Sequence, residues 1–276
     1  MHKKKICWRR LPIQLFLLLL NVIVLYPIFW ILINSFKSTS EFLQNSFNLP
    51  SVLHFENYLK AWSSGLNRYF LNSVFISVVS IFFTTLLSSL AAYGLTRFRF
   101  KFRGALFTFI LCGLSLSIES SFVPLFKLFQ SIHLYNTQFG VILLYIAFRI
   151  PLTVFLMRSY FISFPKDIEE AARMDGCSSF AIYWRMILPI GKPILASSAL
   201  MNLIFTWNEF LTALIFLEDQ DLMTIPVGLN ALKGEMLQEW NIQLAAVVIA
   251  SIPLIIMFLC MQKQFVKGLT AGSVKG

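Results

Sequence analysis

The stretch from Leu11 to Ile33, LPIQLFLLLLNVIVLYPIFWILI, runs without a single charged side chain. As a helix rising about 1.5 Å per residue, it crosses the ~30 Å hydrocarbon core of a bilayer. Lys3, Lys4, Lys5, Arg9 and Arg10 lie just ahead of it. A secretory signal also begins with basic residues and an apolar run. This run is too long for a signal core, and Leu32-Ile33-Asn34-Ser35 offers no small-residue cleavage site, so a retained first span is expected.

The same pattern recurs along the chain. Hydrophobic residues make up 57% and charged residues 13%, against about 45–50% and about 25% in soluble domains. That is more apolar surface than a soluble fold of this length buries. Six spans are expected, at residues 13–36, 69–95, 104–128, 139–160, 192–216 and 242–262, which makes the chain an all-α polytopic membrane protein. The short remainders, 1–12 and 263–276, are read as tails.

Orientation follows from the basic residues. Five lie in the N-terminal tail, four between Thr96 and Arg103, five from Arg158 to Lys192 and three in the C-terminal tail. The opposite connections hold only Lys37, Lys60, Arg68 and Lys233. The positive-inside rule therefore puts both termini in the cytoplasm of a cell-membrane protein. The formal charge of +10 is spent on topology and on anionic headgroups, not on nucleic acid. The loop Arg97-Phe98-Arg99-Phe100-Lys101-Phe102-Arg103 alternates charge and aromatic; topology and anionic headgroups account for it, and a regulatory or ATPase contact is the alternative. Cys7, Cys112, Cys177 and Cys260 are scattered, as are His2, His54 and His133, so neither a disulfide framework nor a metal site is expected.

Two connections are long. The outer one, 37–68, is aromatic-rich and expected to form short interfacial or partner-contacting helices. The inner one, 161–191, contains Ser163-Phe-Pro-Lys-Asp-Ile-Glu-Glu-Ala-Ala-Arg-Met-Asp-Gly176. Pro165 suits a first helical turn, Asp167, Glu169 and Glu170 suit the positive end of the helix dipole, and Gly176 suits the terminating position. Ile168, Ala171, Ala172 and Asp175 share one small-residue face. A second helix capped by Ser178 or Ser179 should carry Phe180, Tyr183, Trp184 and Ile187 on one face and end at Leu188-Pro189.

The combination Glu170-Ala171-Ala172, Asp175-Gly176 and Ile187-Leu188-Pro189, on an inner loop between the fourth and fifth spans, resembles the EAA loop of ABC importer membrane subunits. Ala91-Ala-Tyr-Gly-Leu-Thr-Arg-Phe98, Thr206-Trp-Asn-Glu-Phe210 and Gly268-Leu-Thr-Ala-Gly-Ser-Val-Lys-Gly276 extend the likeness to the smaller permease subunit of maltose-type carbohydrate importers. Cys177 stands where many such loops have a small residue, and a thiol fits there. The resemblance implies the type I importer permease fold. Its partners would be a second, different permease subunit, two ATPase subunits and an extracytoplasmic solute-binding protein. It also implies that Glu170, Ala171, Ala172, Asp175, Gly176, Ile187, Leu188 and Pro189 form a coupling element docked on the ATPase. No G-x-x-x-x-G-K-[ST] phosphate loop occurs, so ATP and Mg are expected on the ATPase and no cofactor on this chain.

Charges inside spans are costly and face a cavity or a partner. Glu119 lies roughly 22 Å from the inner end of its span and Arg149 roughly 15 Å from the outer end of its own. Either they pair or they line the pathway separately. Trp207, Asn208 and Glu209 form either an interfacial belt with a solvated acid or a gate facing a sugar, since aromatic and amide groups suit sugar faces and hydroxyls. An intramembrane hydrolase would want paired carboxylates, a His cluster or a Ser/Lys dyad within spans, and Glu119 stands without a second acid at its depth. An ion-coupled carrier would want repeated halves with matching helix breaks. A related importer for peptides or polyamines shares the loop and differs in cargo.

Overall fold

The computed structural model describes residues 11–165, 167–235 and 239–271. All the regular secondary structure among the described residues is helical. The chain divides into two compact units, Met1–Leu66 with Leu229–Ser251, and Asn67–Gly228 with Ile252–Gly276.

In the first unit, α1 (Leu11–Asn34) exposes apolar side chains around its whole circumference, as a helix solvated by lipid or partner helices does. Two short helices then follow in the connection 37–68, α2 (Thr39–Gln44) and α3 (Glu56–Ala61). Buried polar groups fasten this segment. The fully buried Lys37 donates from Nζ to the Asn45 carbonyl at 3.0 Å. Asn57 Nδ2 donates to the carbonyls of Ser35 and Lys37, each at 2.9 Å. Asn241 Nδ2 donates to Asn57 Oδ1 at 3.0 Å, and Asn241 Oδ1 accepts from Thr39 at 2.8 Å.

In the second unit, α4 (Asn67–Arg97) packs on α7 (Gln138–Ile162) and α11 (Lys192–Asn208). Its buried face carries Ser73, Ser77, Ser80, Thr84, Ser88, Ala92 and Thr96, every three or four residues. Lipid gives apolar side chains no drive to leave it for one another, so close backbone approach along small residues holds such helices together. An apolar cluster around Ile76, Phe129, Tyr145 and Phe216 closes one end of this packing, and a second around Tyr93, Met157, Phe161 and Tyr183 closes the other.

Four helices, α1, α4, α7 and α14 (Trp240–Ala271), carry segments long and apolar enough to cross a membrane, and two bent pairs bring the number to six. The third expected span, 104–128, is not one rod. It is α5 (Arg103–Cys112) and α6 (Phe122–Ser131), which with their flanking single turns meet at 92° across Leu116–Ile118. Leu116 is extended there, and Ser117 and Ser121 offer hydroxyls to local acceptors. The fifth, 192–216, ends early as α11 at Asn208, with a separate α12 (Leu211–Phe216) beyond Glu209-Phe210. The sixth runs past Gln262 to Ala271. Of the expected tails, residues 1–10 and 272–276 lie outside the described residues.

Candidate functional site

The connection 161–191 forms a compact knob. The helix α8 (Asp167–Met174) opens with three acidic residues. It closes with the Cys177 N–H donating to the Ala172 carbonyl and the Gly176 N–H to the Arg173 carbonyl, both at 3.0 Å. This paired closure needs a left-handed residue, and Gly176 supplies it at φ +83. Ser178 then caps α9 (Ser179–Ile182), its Oγ accepting from the Ala181 N–H at 3.2 Å.

Leu188-Pro189 does not end this second helix. A widened turn, Tyr183–Ile187, leads into α10 (Leu188–Ile190), and the chain bends by 74° at Gly191 into α11. A proline at the start of a helical turn loses no needed hydrogen bond, so the helix passes through it. The bend itself requires glycine, because a Cβ on Gly191 would stand 2.9 Å from the Ile187 carbonyl oxygen.

Of the expected small-residue face, Ala172 is turned inward at 5% exposure, whereas Ile168, Ala171 and Asp175 remain open. These four, with Cys177, Ala181, Ile182, Arg185 and Met186, line a groove of about 480 Å³ between the two helices. In the second helix Tyr183 and Ile187 are buried, while Phe180 and Trp184 face outward. Glu170, Arg173 and Met174 are also exposed.

What holds the knob went unassigned in the sequence. Ser89, Tyr93 and Arg97 recur every four residues on the last turns of α4, and each reaches the connection 161–191. Ser89 and Tyr183 share a hydroxyl–hydroxyl bond of 2.6 Å, and Tyr93 donates to the Ser179 carbonyl at 3.3 Å. Arg97 Nε meets Glu169 Oε1 at 2.5 Å, with both side chains about 95% buried. The acid that turns inward is thus Glu169, and Glu170 is left at the surface. The repeat of hydroxyl, phenol and guanidinium at a spacing of four was the available signal.

The intramembrane candidates separate into two places. Glu119 is exposed beside the bend between α5 and α6 and accepts from the Ser117 hydroxyl at 2.6 Å. Arg149 makes no ion pair with it. Its guanidinium lies 4.1 Å above the ring of Phe205, within the field of Glu209. Glu209 is not a solvated belt residue. Its carboxylate accepts from the N–H groups of Thr212 at 2.8 Å and Ala213 at 3.2 Å, capping α12, and from the Tyr145 hydroxyl at 2.8 Å. About two turns away, buried Asn202 donates from Nδ2 to the Thr153 hydroxyl across α11 and α7 at 3.2 Å. Trp207 is buried edge-on against Phe70, and exposed Asn208 donates back to the Ile204 carbonyl. Among the described residues no group of His, Cys, Asp and Glu is arranged to hold a metal.

Comparison with known proteins agrees with this architecture. A family model described as "Binding-protein-dependent transport system inner membrane component" matches residues 84–271. The chain is 44% identical to the probable ABC transporter permease protein YurM of Bacillus subtilis, over 96% of this chain and 88% of that protein. It is 35% identical to the arabinooligosaccharides transport system permease protein AraQ of the same organism, over 100% and 99%. It is 38% identical to the trehalose/maltose transport system permease protein MalG of Thermococcus litoralis, over 94% of each. In fold it matches a chain of a bacterial ABC transporter involved in alginate import, with a TM-score of 0.82, 24% identity, and coverage of 96% of this chain and 99% of that one. The bent helices, the knob beneath them and these likenesses converge: the chain belongs to the inner-membrane components of binding-protein-dependent transport systems, the permeases of ABC importers.

Proposed function

We propose that this chain forms half of a translocation pathway for an oligosaccharide in a bacterial cell membrane, with both termini in the cytoplasm. A second, different permease subunit completes the pathway. An extracytoplasmic binding protein delivers the sugar, and two ATPase subunits bind ATP and Mg. The chain itself is not an enzyme and does no covalent chemistry.

The observation that carries the coupling role is the knob. Its outer surface offers Glu170, Ala171 and Asp175 on a helix whose inner side is fixed to α4 by the buried Arg97–Glu169 pair. A helix that presents small residues lets a partner approach its backbone, and one that is rigidly fastened passes a push on to what it is fastened to. Closure of the ATPases would therefore move α4 and, through the bend at Gly191, α11 together, giving alternating access. Ile187 is buried within the knob's core and Leu188 packs against it, so both would support the element, whereas Pro189 lies exposed and would stay open to contact.

The carbohydrate cargo is supported by relatives whose names specify arabinooligosaccharides, diacetylchitobiose, and trehalose or maltose. Cells carrying the complete system should accumulate a labelled oligosaccharide. Accumulation should stop when this chain is deleted or when Glu170→Lys reverses charge on the knob. Uptake that persists after the ATPases are inactivated would refute an ATP-driven role.

A further inference from the structure

We propose that a pocket at the inner end of α4 binds a phosphate group at the level of the membrane headgroups. The cavity, of about 180 Å³, lies between the last turn of α4, the following basic connection and α8. Four arginines line it, Arg97, Arg99, Arg103 and Arg173, against two acids, Glu169 and Glu170, leaving two net positive charges. The remaining lining group, the Thr96 hydroxyl, is committed to the carbonyls of Ala92 and Tyr93.

These charges are not equally free. Arg97 and Glu169 satisfy one another, and Arg173 lies against the Tyr93 hydroxyl. The guanidiniums of Arg99 and Arg103 have no hydrogen-bond or ion-pair partner among the described residues. Arg103 also opens α5, a helix whose first turn has no side-chain cap, so the positive end of the helix adds to the same field. Nearby, Arg158 lies 3.9 Å above the Phe107 ring, with its Nε buried and unpartnered, close enough to Arg103 for the like charges to repel. An anion between α4 and α5 relieves that repulsion.

Guanidinium forks match the paired oxygens of a phosphate. Arg97 ends one membrane helix and Arg103 begins the next, which places the pocket at the headgroup boundary. The ligand chemistry is a phosphate oxyanion, supplied either by an anionic lipid or by free phosphate. Because Glu170 and Arg173 belong to α8, an occupied pocket ties the coupling helix to the membrane surface. Glu170 also belongs to the surface proposed to dock the ATPase, and a test that involves no ATPase keeps the two roles distinguishable.

The test uses the full-length chain in phosphatidylcholine nanodiscs. Spin-labelled phosphatidylglycerol reports lipid binding, and phosphorus NMR line broadening reports inorganic phosphate. The parent protein should hold phosphatidylglycerol in preference to phosphatidylcholine. The Arg99→Gln/Arg103→Gln variant, which leaves the Arg97–Glu169 pair intact, should bind it roughly a hundredfold more weakly through the loss of two charge-assisted guanidinium–phosphate contacts. Lys101→Gln, a basic residue of the same connection outside the pocket, should change affinity less than about twofold. Loss of phosphate binding in the double variant, with no lipid preference in the parent, would support the site and identify free phosphate as its source. Equal binding by parent and double variant, or a loss in Lys101→Gln as large per charge, would overturn the pocket in favour of diffuse attraction to a basic surface.

Discussion

The knob and the outer end of α11 both interrupt helices, and they do so by opposite means. At Gly176 the chain turns because one residue adopts a left-handed conformation, and the freed backbone groups bond to each other. At Glu209 it turns because a side chain supplies the missing acceptors: one carboxylate takes two backbone N–H groups of α12 and the Tyr145 hydroxyl. The first device depends only on local backbone geometry. The second depends on a residue 64 positions away, so it links the break in α11 to α7. A turn built from backbone stays put when its surroundings shift, whereas a turn built on a shared carboxylate can change when its partners move. The knob accordingly reads as a rigid lever and the Glu209 break as the place where the membrane helices can yield.

The largest effect should come from loosening the lever. Arg97→Ala leaves the Glu169 carboxylate buried without its partner, which costs about 3–5 kcal/mol in comparable pairs. Hydrogen exchange across residues 167–190 should accelerate strongly while the outer part of α7 stays protected. Unchanged exchange would mean that the knob does not rely on α4.

The yielding site should respond next. Glu209→Ala removes two hydrogen bonds that cap α12 and the partner of a buried phenol, and should cost about 2–3 kcal/mol in thermal unfolding of the detergent-solubilised chain. Glu209→Gln retains an acceptor oxygen and should lose less than half of that. Equal losses would show that the negative charge, interacting with Arg149, matters more than the cap. The smallest effect is expected at the backbone turn. A Cβ at Gly176 meets open space, so Gly176→Ala carries only the cost of its positive φ, about 1 kcal/mol. A far larger loss would show that packing, not backbone conformation, selects glycine there.

The spans were legible because lipid demands long uncharged runs, and α1, α4, α7 and α14 announce themselves that way. The ends of α8 were legible for an equally local reason, since Pro165, the acidic first turn and Gly176 act within a few residues. The breaks at Leu116–Ile118 and Glu209 were not, because hydropathy averages over a window and both breaks sit among Leu, Ile and Phe. The choice between Glu169 and Glu170 was also hidden. Adjacent helical residues point about 100° apart, and which one faces inward depends on where Arg97 ends α4. The role of Arg149 depended likewise on a fold contact, the ring of Phe205, and not on its calculated depth opposite Glu119.

On the proposed mechanism the outer face of α8 engages the ATPase while its inner face is held by α4. The most direct measurement replaces Cys7, Cys112, Cys177 and Cys260, introduces Ala171→Cys, and follows crosslinking to a co-expressed ATPase subunit in membranes with and without ATP. A crosslink whose yield changes with nucleotide is expected from position 171, and none from a cysteine at buried Ala172. A folded, inserted chain that gives no crosslink from position 171, or an equal yield from 171 and 172, would contradict that mechanism.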